Sequence, residues 1–279
     1  MLAHYTIKDL YALALAEGEG MGTAYEYYAK RLALGRWLKG RPRPASILVA
    51  GLPEKYGASL DFLLLAGELG AAVTVVDDRP AALERLRGAL DRPQRSSETS
   101  EVWAVFPRPV CLLADLPGLA GLAGRFDLAV SSEVLQRLAA AERPAYVAAL
   151  RGRAAALALF APNADNPAHT DRSGLSGLRL DELRALVADQ RRTTNDQRPT
   201  TNDYPLLATN NYQLTTGYID MPPFPPGITR SDEQREQATQ GAFEAAVMGG
   251  LRVYAHGERL LPGALRRRQS HIVYALGNT

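Results

Sequence analysis

An α/β fold, a doubly wound and mostly parallel sheet with helices on both faces, is predicted by three observations. A short apolar strand, Ile47-Leu-Val-Ala50, runs into a loop bounded by Gly51 and Gly57 and then into an apolar helical stretch. The next strand, Val73-Thr-Val-Val76, ends in the carboxylates Asp77 and Asp78. Beyond it strand and helix patterns keep alternating, which lays parallel strands side by side and puts ligands at their carboxyl ends.

Taken in order, residues 1–40 read as an N-terminal helical cap and 41–279 as the α/β domain, with insertions near 91–108, 190–211 and 222–268. The cap holds two helical patterns, Ile7 to Ala16 and Thr23 to Leu38, separated by Gly18-Glu-Gly-Met-Gly22. Tyr25, Tyr27, Tyr28 and Trp37 crowd the second in a chain only 7% aromatic, as in an amphipathic helix packed on a sheet. Helical patterns follow at Leu60 to Leu69, Ala81 to Leu90, Val134 to Ala140 and Leu180 to Ala188. Pro109 to Asp115 reads as a third, buried strand, Phe126 to Glu133 as a fourth and Ala154 to Phe160 as a fifth, leaving by the polar loop Ala161 to Thr170.

Between the second helix of the sheet and the third strand, Arg92 to Ser100 is polar and turn-rich, as an inserted loop is. The window 190–211 repeats Thr-Thr-Asn-Asp at Thr193 and Thr200 and holds too few apolar residues to offset its ordering entropy, so an exposed, mobile insertion is expected. Gly217-Tyr-Ile-Asp220 completes a sixth strand, and Pro222, Pro223, Pro225 and Pro226 then force a stiff path that suits a pocket wall or a crossing over the sheet edge. Ser231-Asp-Glu-Gln234 offers a capped start to a helix reaching Gly250. Arg266-Arg-Arg268 reads as solvated loop before the last strand, His271 to Leu276.

The phrase Phe126-Asp-Leu-Ala-Val-Ser-Ser-Glu-Val-Leu-Gln-Arg-Leu138 resembles the fourth-strand motif of the class I S-adenosylmethionine-dependent methyltransferases. Val73 to Pro80 is similar to that family's acidic second-strand motif, Ala114-Asp-Leu-Pro117 to its third-strand turn and His271 to Leu276 to its antiparallel last strand. The likeness spans roughly residues 45–190 and the end of the chain. It implies a Rossmann-like sheet, mostly parallel with an antiparallel last strand, and S-adenosyl-L-methionine as cofactor. By the same likeness the donor meets Gly51, Leu52, Glu54 and Gly57 in the first loop, and Asp77 and Asp78 at the second strand. Asp77 holds the ribose, Asp115 with Leu116 faces the adenine, and Ser131, Ser132 and Glu133 border the methyl donor. An N-terminal helical piece covers the pocket in that family, which brings Tyr25 and Tyr28 to the substrate, and Asn163, in the loop after the fifth strand, is expected to join them in binding it. One departure stands out: Val49 occupies the place of the family's first-strand acid, and Leu52, Pro53 and a longer loop replace its clustered glycines. Glu54 or backbone carbonyls are then the partners left for the methionine amino group.

Methyl transfer needs chiefly alignment of donor and acceptor, and a general base only where the acceptor must lose a proton. His169, in the loop after the fifth strand, is the base candidate by position, with Glu133 and Asp165 as alternatives. The expected activity is methyl transfer to a small molecule. A non-catalytic relative that binds a partner is the alternative, resting on Val49 and Pro53. A nucleotide-dependent oxidoreductase is a third, against which stands the absence of a Gly-x-Gly-x-x-Gly spacing.

With 32 basic and 30 acidic residues the net charge of +2 offers no general field for nucleic acid. Cys111, alone in the sequence, reads as a small packed side chain in a buried strand. No cluster has metal-ligand spacing, so no metal is expected. Apolar runs fall short of the roughly 18 to 20 residues that span a bilayer, and the expected location is the cytoplasm.

Overall fold

The computed structural model describes residues 5–54, 58–91, 106–119, 121–168, 176–195, 214–223 and 242–279. Gly57, His169, most of the two polar insertions, the prolines from Pro225 onward and the capped start at Ser231 lie outside the described residues.

Helix α1 (Ile7–Ala16) begins at a reciprocal capping box: the Asp9 N–H donates to Thr6 Oγ1 at 3.4 Å and the Thr6 N–H to Asp9 Oδ2 at 2.6 Å. After α2 (Met21–Leu38) come β1 (Ser46–Ala50), α3 (Leu60–Leu69), β2 (Ala72–Asp77), α4 (Pro80–Asp91), β3 (Val110–Leu113) and β4 (Leu128–Ser132). A 3-10 turn (Leu135–Arg137) leads to α5 (Arg143–Arg153), β5 (Ala156–Pro162), α6 (Leu180–Asn195), β6 (Thr215–Ile219), α7 (Ala242–Gly257), α8 (Gly263–Gln269) and β7 (Ile272–Asn278).

These strands form one seven-stranded sheet in the order β3-β2-β1-β4-β5-β7-β6. Neighbours from β3 to β5 are parallel, and β7 runs antiparallel between β5 and β6. The strand order reverses between β1 and β4, the switch point at whose carboxyl ends open α/β sheets take ligands. One face of the sheet packs on α2, α3 and α4, with Leu34, Trp37, Phe62, Leu63 and Leu86 around Ile47, Val49 and Phe160. The opposite face packs on the 3-10 turn, α5 and α6 through Leu135, Tyr146, Leu150 and Leu183. Phe62 stacks on Phe160 with ring centroids 5.8 Å apart, and burying each such side chain stabilises by roughly 1.5–3 kcal/mol.

Four expectations change. Val134 to Ala140 is not an α-helix but the short turn Leu135–Arg137, because Glu133 turns the chain with a left-handed backbone (φ 56°) and the helix starts only at α5, with a proline in its first turn. The third strand is an exposed edge rather than a buried strand: Val110 and Leu113 are 56% and 61% exposed and Cys111 is half-buried. The arginine run at 266–268 lies in α8, not in a loop. Helix α7 continues beyond the expected Gly250 to Gly257.

Candidate active site

Gly51 ends β1 with φ 77°, and a Cβ there would fall 2.5 Å from Val134 Cγ2, so the β1 turn and the segment after β4 touch at a position only glycine fits. Its turn aims the Leu52 N–H at the tip of β2, where it donates to Asp77 Oδ2 at 2.6 Å. Asp77 is fully buried. Arg79 grips it with Nε on Oδ1 at 2.8 Å and Nη2 on Oδ2 at 3.1 Å, and Arg137 Nη2 adds a bond to Oδ2 at 3.0 Å. Burial alone would raise this carboxyl, but Arg79, the Leu52 N–H and Arg137 outweigh it and hold Asp77 below the usual carboxylate range. Arg79 Nη2 also donates to the carbonyls of Leu52 and Pro53, at 2.7 and 3.3 Å, clasping the first loop to the second strand.

The start of α3 is likewise occupied. Glu17, at the end of α1, accepts from the N–H groups of Ala58 (2.8 Å) and Leu60 (3.0 Å) and from the Tyr27 hydroxyl, taking the anion position of a helix N-terminus. Burial pushes Glu17 up to about 7 despite those donors.

At the tip of β4 a buried charge cluster meets the sheet. Lys30 of α2, 2% exposed, donates to Ser132 Oγ at 2.7 Å, to Glu133 Oε1 at 3.2 Å and to Glu26 one turn before it. Burial opposes its charge, but Glu26, Glu133 and Asp61 together raise it above the ordinary lysine value. Burial and then Glu26 push Glu133 well above the usual range, with Lys30 acting the other way. Asp61, in the first turn of α3, is fully buried with both carboxylate oxygens unbonded among the described residues, and burial raises it to about 7. Lys30 does not offset the burial of both Asp61 and Glu133, whose carboxyls stay raised beside it.

Beside it Tyr25 donates to Glu258 Oε2 at 2.8 Å, and His271 Nδ1 pairs with Asp220 Oδ2 at 3.1 Å. Three of the four non-glycine residues with left-handed backbone among the described residues, Ser59, Glu133 and Asp220, follow β1, β4 and β6 at this end of the sheet. Strain of this kind collects where function requires a fixed geometry.

No family model and no curated protein matches the sequence. Solved structures do. The plantazolicin methyltransferase BpumL, determined in complex with SAH, superposes with a TM-score of 0.52 at 11% identity over 98% of this chain and 95% of its own. The methyltransferase domain of bacterial CtHen1 gives 0.50 at 14% identity over 91% of this chain and all of that domain. The chain has the class I methyltransferase fold.

Within the methyltransferase fold S-adenosylmethionine is the donor that the sequence resemblance implies. Asp77, the acid expected to hold its ribose, stands against the first loop in a closed arrangement. Each of its oxygens already accepts at least two donors, which fills a carboxylate's lone pairs. A further hydrogen-bond donor reaches Asp77 only if Arg79, whose side chain is 29% exposed, leaves it.

The other expected residues fall as follows. Asp78 pairs with Arg137 at 2.9 Å; Glu54 is exposed and close enough to Arg79 to favour its charge. Asp115 is exposed while Leu116 beside it is buried. Ser131 accepts from the Tyr146 hydroxyl at 2.9 Å and Ser132 from Lys30, both at the tip of β4. Asn163 is buried and donates to the carbonyls of Arg267 and Ser270 at 2.8 Å, tying the β5 loop to α8. Tyr25 belongs to the buried cluster, whereas Tyr28 turns toward His256 Nε2 at 3.1 Å. Sequence reasoning did not find Glu17, Glu26, Lys30, Asp61, Arg79 or Arg137. The available signal was the Glu26–Lys30 pair, charged at i, i+4 within an otherwise apolar stripe of α2.

Proposed function

We propose that this protein binds S-adenosyl-L-methionine at the carboxyl ends of β1, β2 and β4 and transfers its methyl group to a small-molecule acceptor. The observation that carries the reading is Asp77, a buried carboxylate 2.6 Å from the first-loop N–H of Leu52, at the point where the strand order reverses. Bound there, the donor supplies an electrophilic methyl on a sulfonium. Asp77 accepts the ribose hydroxyls once Arg79 has turned away, and the Leu52 N–H keeps that carboxylate aimed. Lys30 fixes Ser132 and Glu133 beside the transfer position, and burial excludes water from it. Glu133, whose raised value makes its ionised form the stronger base, is the proposed group to take a proton from an acceptor hydroxyl or amine. His169 remains the alternative base.

A second reading, a non-catalytic relative that binds a partner, is favoured by one specific observation: the ribose acid and the α3 N-terminus are both satisfied by the protein's own side chains. Calorimetric titration separates the two. Wild-type protein is expected to bind S-adenosylmethionine, Asp77→Asn to bind it at least about tenfold more weakly, a loss of about 1.4 kcal/mol, and Arg79→Ala to bind it more tightly than wild type. Absence of binding in both wild type and Arg79→Ala defeats the enzymatic reading and leaves the partner-binding one.

A further inference from the structure

Away from the strand tips, the outer side of α2 lines a cleft of about 680 Å³ whose walls come from α2, the turn before β1, the end of α3 and α7. Tyr28, Leu32, Arg36 and Lys39 succeed one another at the three- and four-residue spacing that shares a helix face, and Arg43, Arg252 and His256 complete the basic wall. No acidic residue lines it among the described residues. Two of its arginines are already engaged, Arg31 in a bidentate pair with Glu68 and Arg41 stacked on Trp37, and these build the wall. Arg36, Lys39, Arg43 and Arg252 have no carboxylate within ion-pair distance among the described residues. The acid whose field reaches Arg36, Glu258, is buried and bonded to Tyr25.

We infer that this cleft is a binding site for an oligophosphate-bearing small molecule, with the unpaired arginines on the phosphates and the Tyr28, Leu32 and proline walls against its apolar body. The volume lies in the range of small-ligand sites, about 300–1,000 Å³. A single carboxylate would employ one arginine, whereas two or more linked phosphates use the whole set, and guanidinium suits them through its forked donors. Like-charge crowding agrees: burial and then Arg36, Arg252 and Arg259 lower His256, and burial and then Arg259 lower Arg36. A bound anion relieves that repulsion.

The test is calorimetry with inorganic pyrophosphate, with ATP and with a single-stranded oligonucleotide on the full chain. Wild type is expected to bind pyrophosphate and ATP saturably. Arg36→Gln with Arg252→Gln, both at exposed positions that leave the core intact, is expected to lose at least tenfold in affinity, and the double lysine variant to keep most of it. Arg79→Ala, at the strand tips, is expected to leave pyrophosphate affinity unchanged. No binding, or binding untouched by the double glutamine variant, overturns the inference. An affinity that climbs with oligonucleotide length while pyrophosphate fails to compete overturns it in favour of a nucleic-acid backbone. Because Arg79→Ala and the donor titration address the other end of the sheet, either proposal can fail alone.

Discussion

Asp61 sits on the first turn of α3 with neither carboxylate oxygen bonded among the described residues, close enough to feel Lys30 but not paired to it. Its folded-state value of about 7 lies above that of the unfolded chain, so between about pH 4 and 7 the folded state holds a proton that the unfolded state releases. Stability from this group is present below pH 4 and falls as pH rises through 7. Asp61→Asn, which mimics the protonated form, is expected to raise the thermal midpoint at pH 8 relative to wild type and to change it little below pH 4. An equal change at both pH values would mean that Asp61 does not titrate in this window. Glu17, also raised to about 7, acts in the same direction, so the remaining slope in Asp61→Asn belongs in part to it. Lys30 explains much of why the cluster tolerates burial: removing it breaks the ion pairs to Glu26 and Glu133, the kind of change that costs about 3–5 kcal/mol where the remaining charge stays buried.

At the scale of elements, the contact between the β1 turn and the segment after β4 is the least forgiving joint. Gly51→Ala must place a Cβ 2.5 Å from Val134 Cγ2 on a backbone at φ 77°, and a loss of about 1–3 kcal/mol from overpacking is expected, plus about 1 kcal/mol for the left-handed backbone. Adding Val134→Ala should recover the packing share but not the backbone share in a double-mutant cycle; simple additivity would refute the contact. Elements governed by local signals were readable: Leu60 to Leu69 is helical as its apolar run indicates and stops at Gly70, whose left-handed φ of 65° ends it. The stretch after β4 was not, because its helical spacing is overridden by the left-handed Glu133, which no propensity announces. Nor was the exposure of β3, since an apolar run looks the same on an edge as in the centre of a sheet.

Across the whole molecule, a net charge of +2 conceals a separation of charge: carboxylates gather beneath the strand tips around Lys30, and arginines gather on the outer side of α2. The position of Asp77 was legible because a strand end followed by an acid needs only a few adjacent residues to recognise. Its partners were not, because Arg137 reaches it from 60 residues away, Glu17 reaches Ala58 from 41 and Lys30 reaches Glu133 from 103. Those long-range contacts decide whether the methyltransferase fold here is open to a donor. The crystal structure of the protein grown with SAH tests this most directly: the ribose hydroxyls are expected within hydrogen-bond distance of Asp77 and the Arg79 guanidinium turned into solvent. Arg79 still on Asp77, with the space between β1 and β2 free of SAH at saturating concentration, would contradict it.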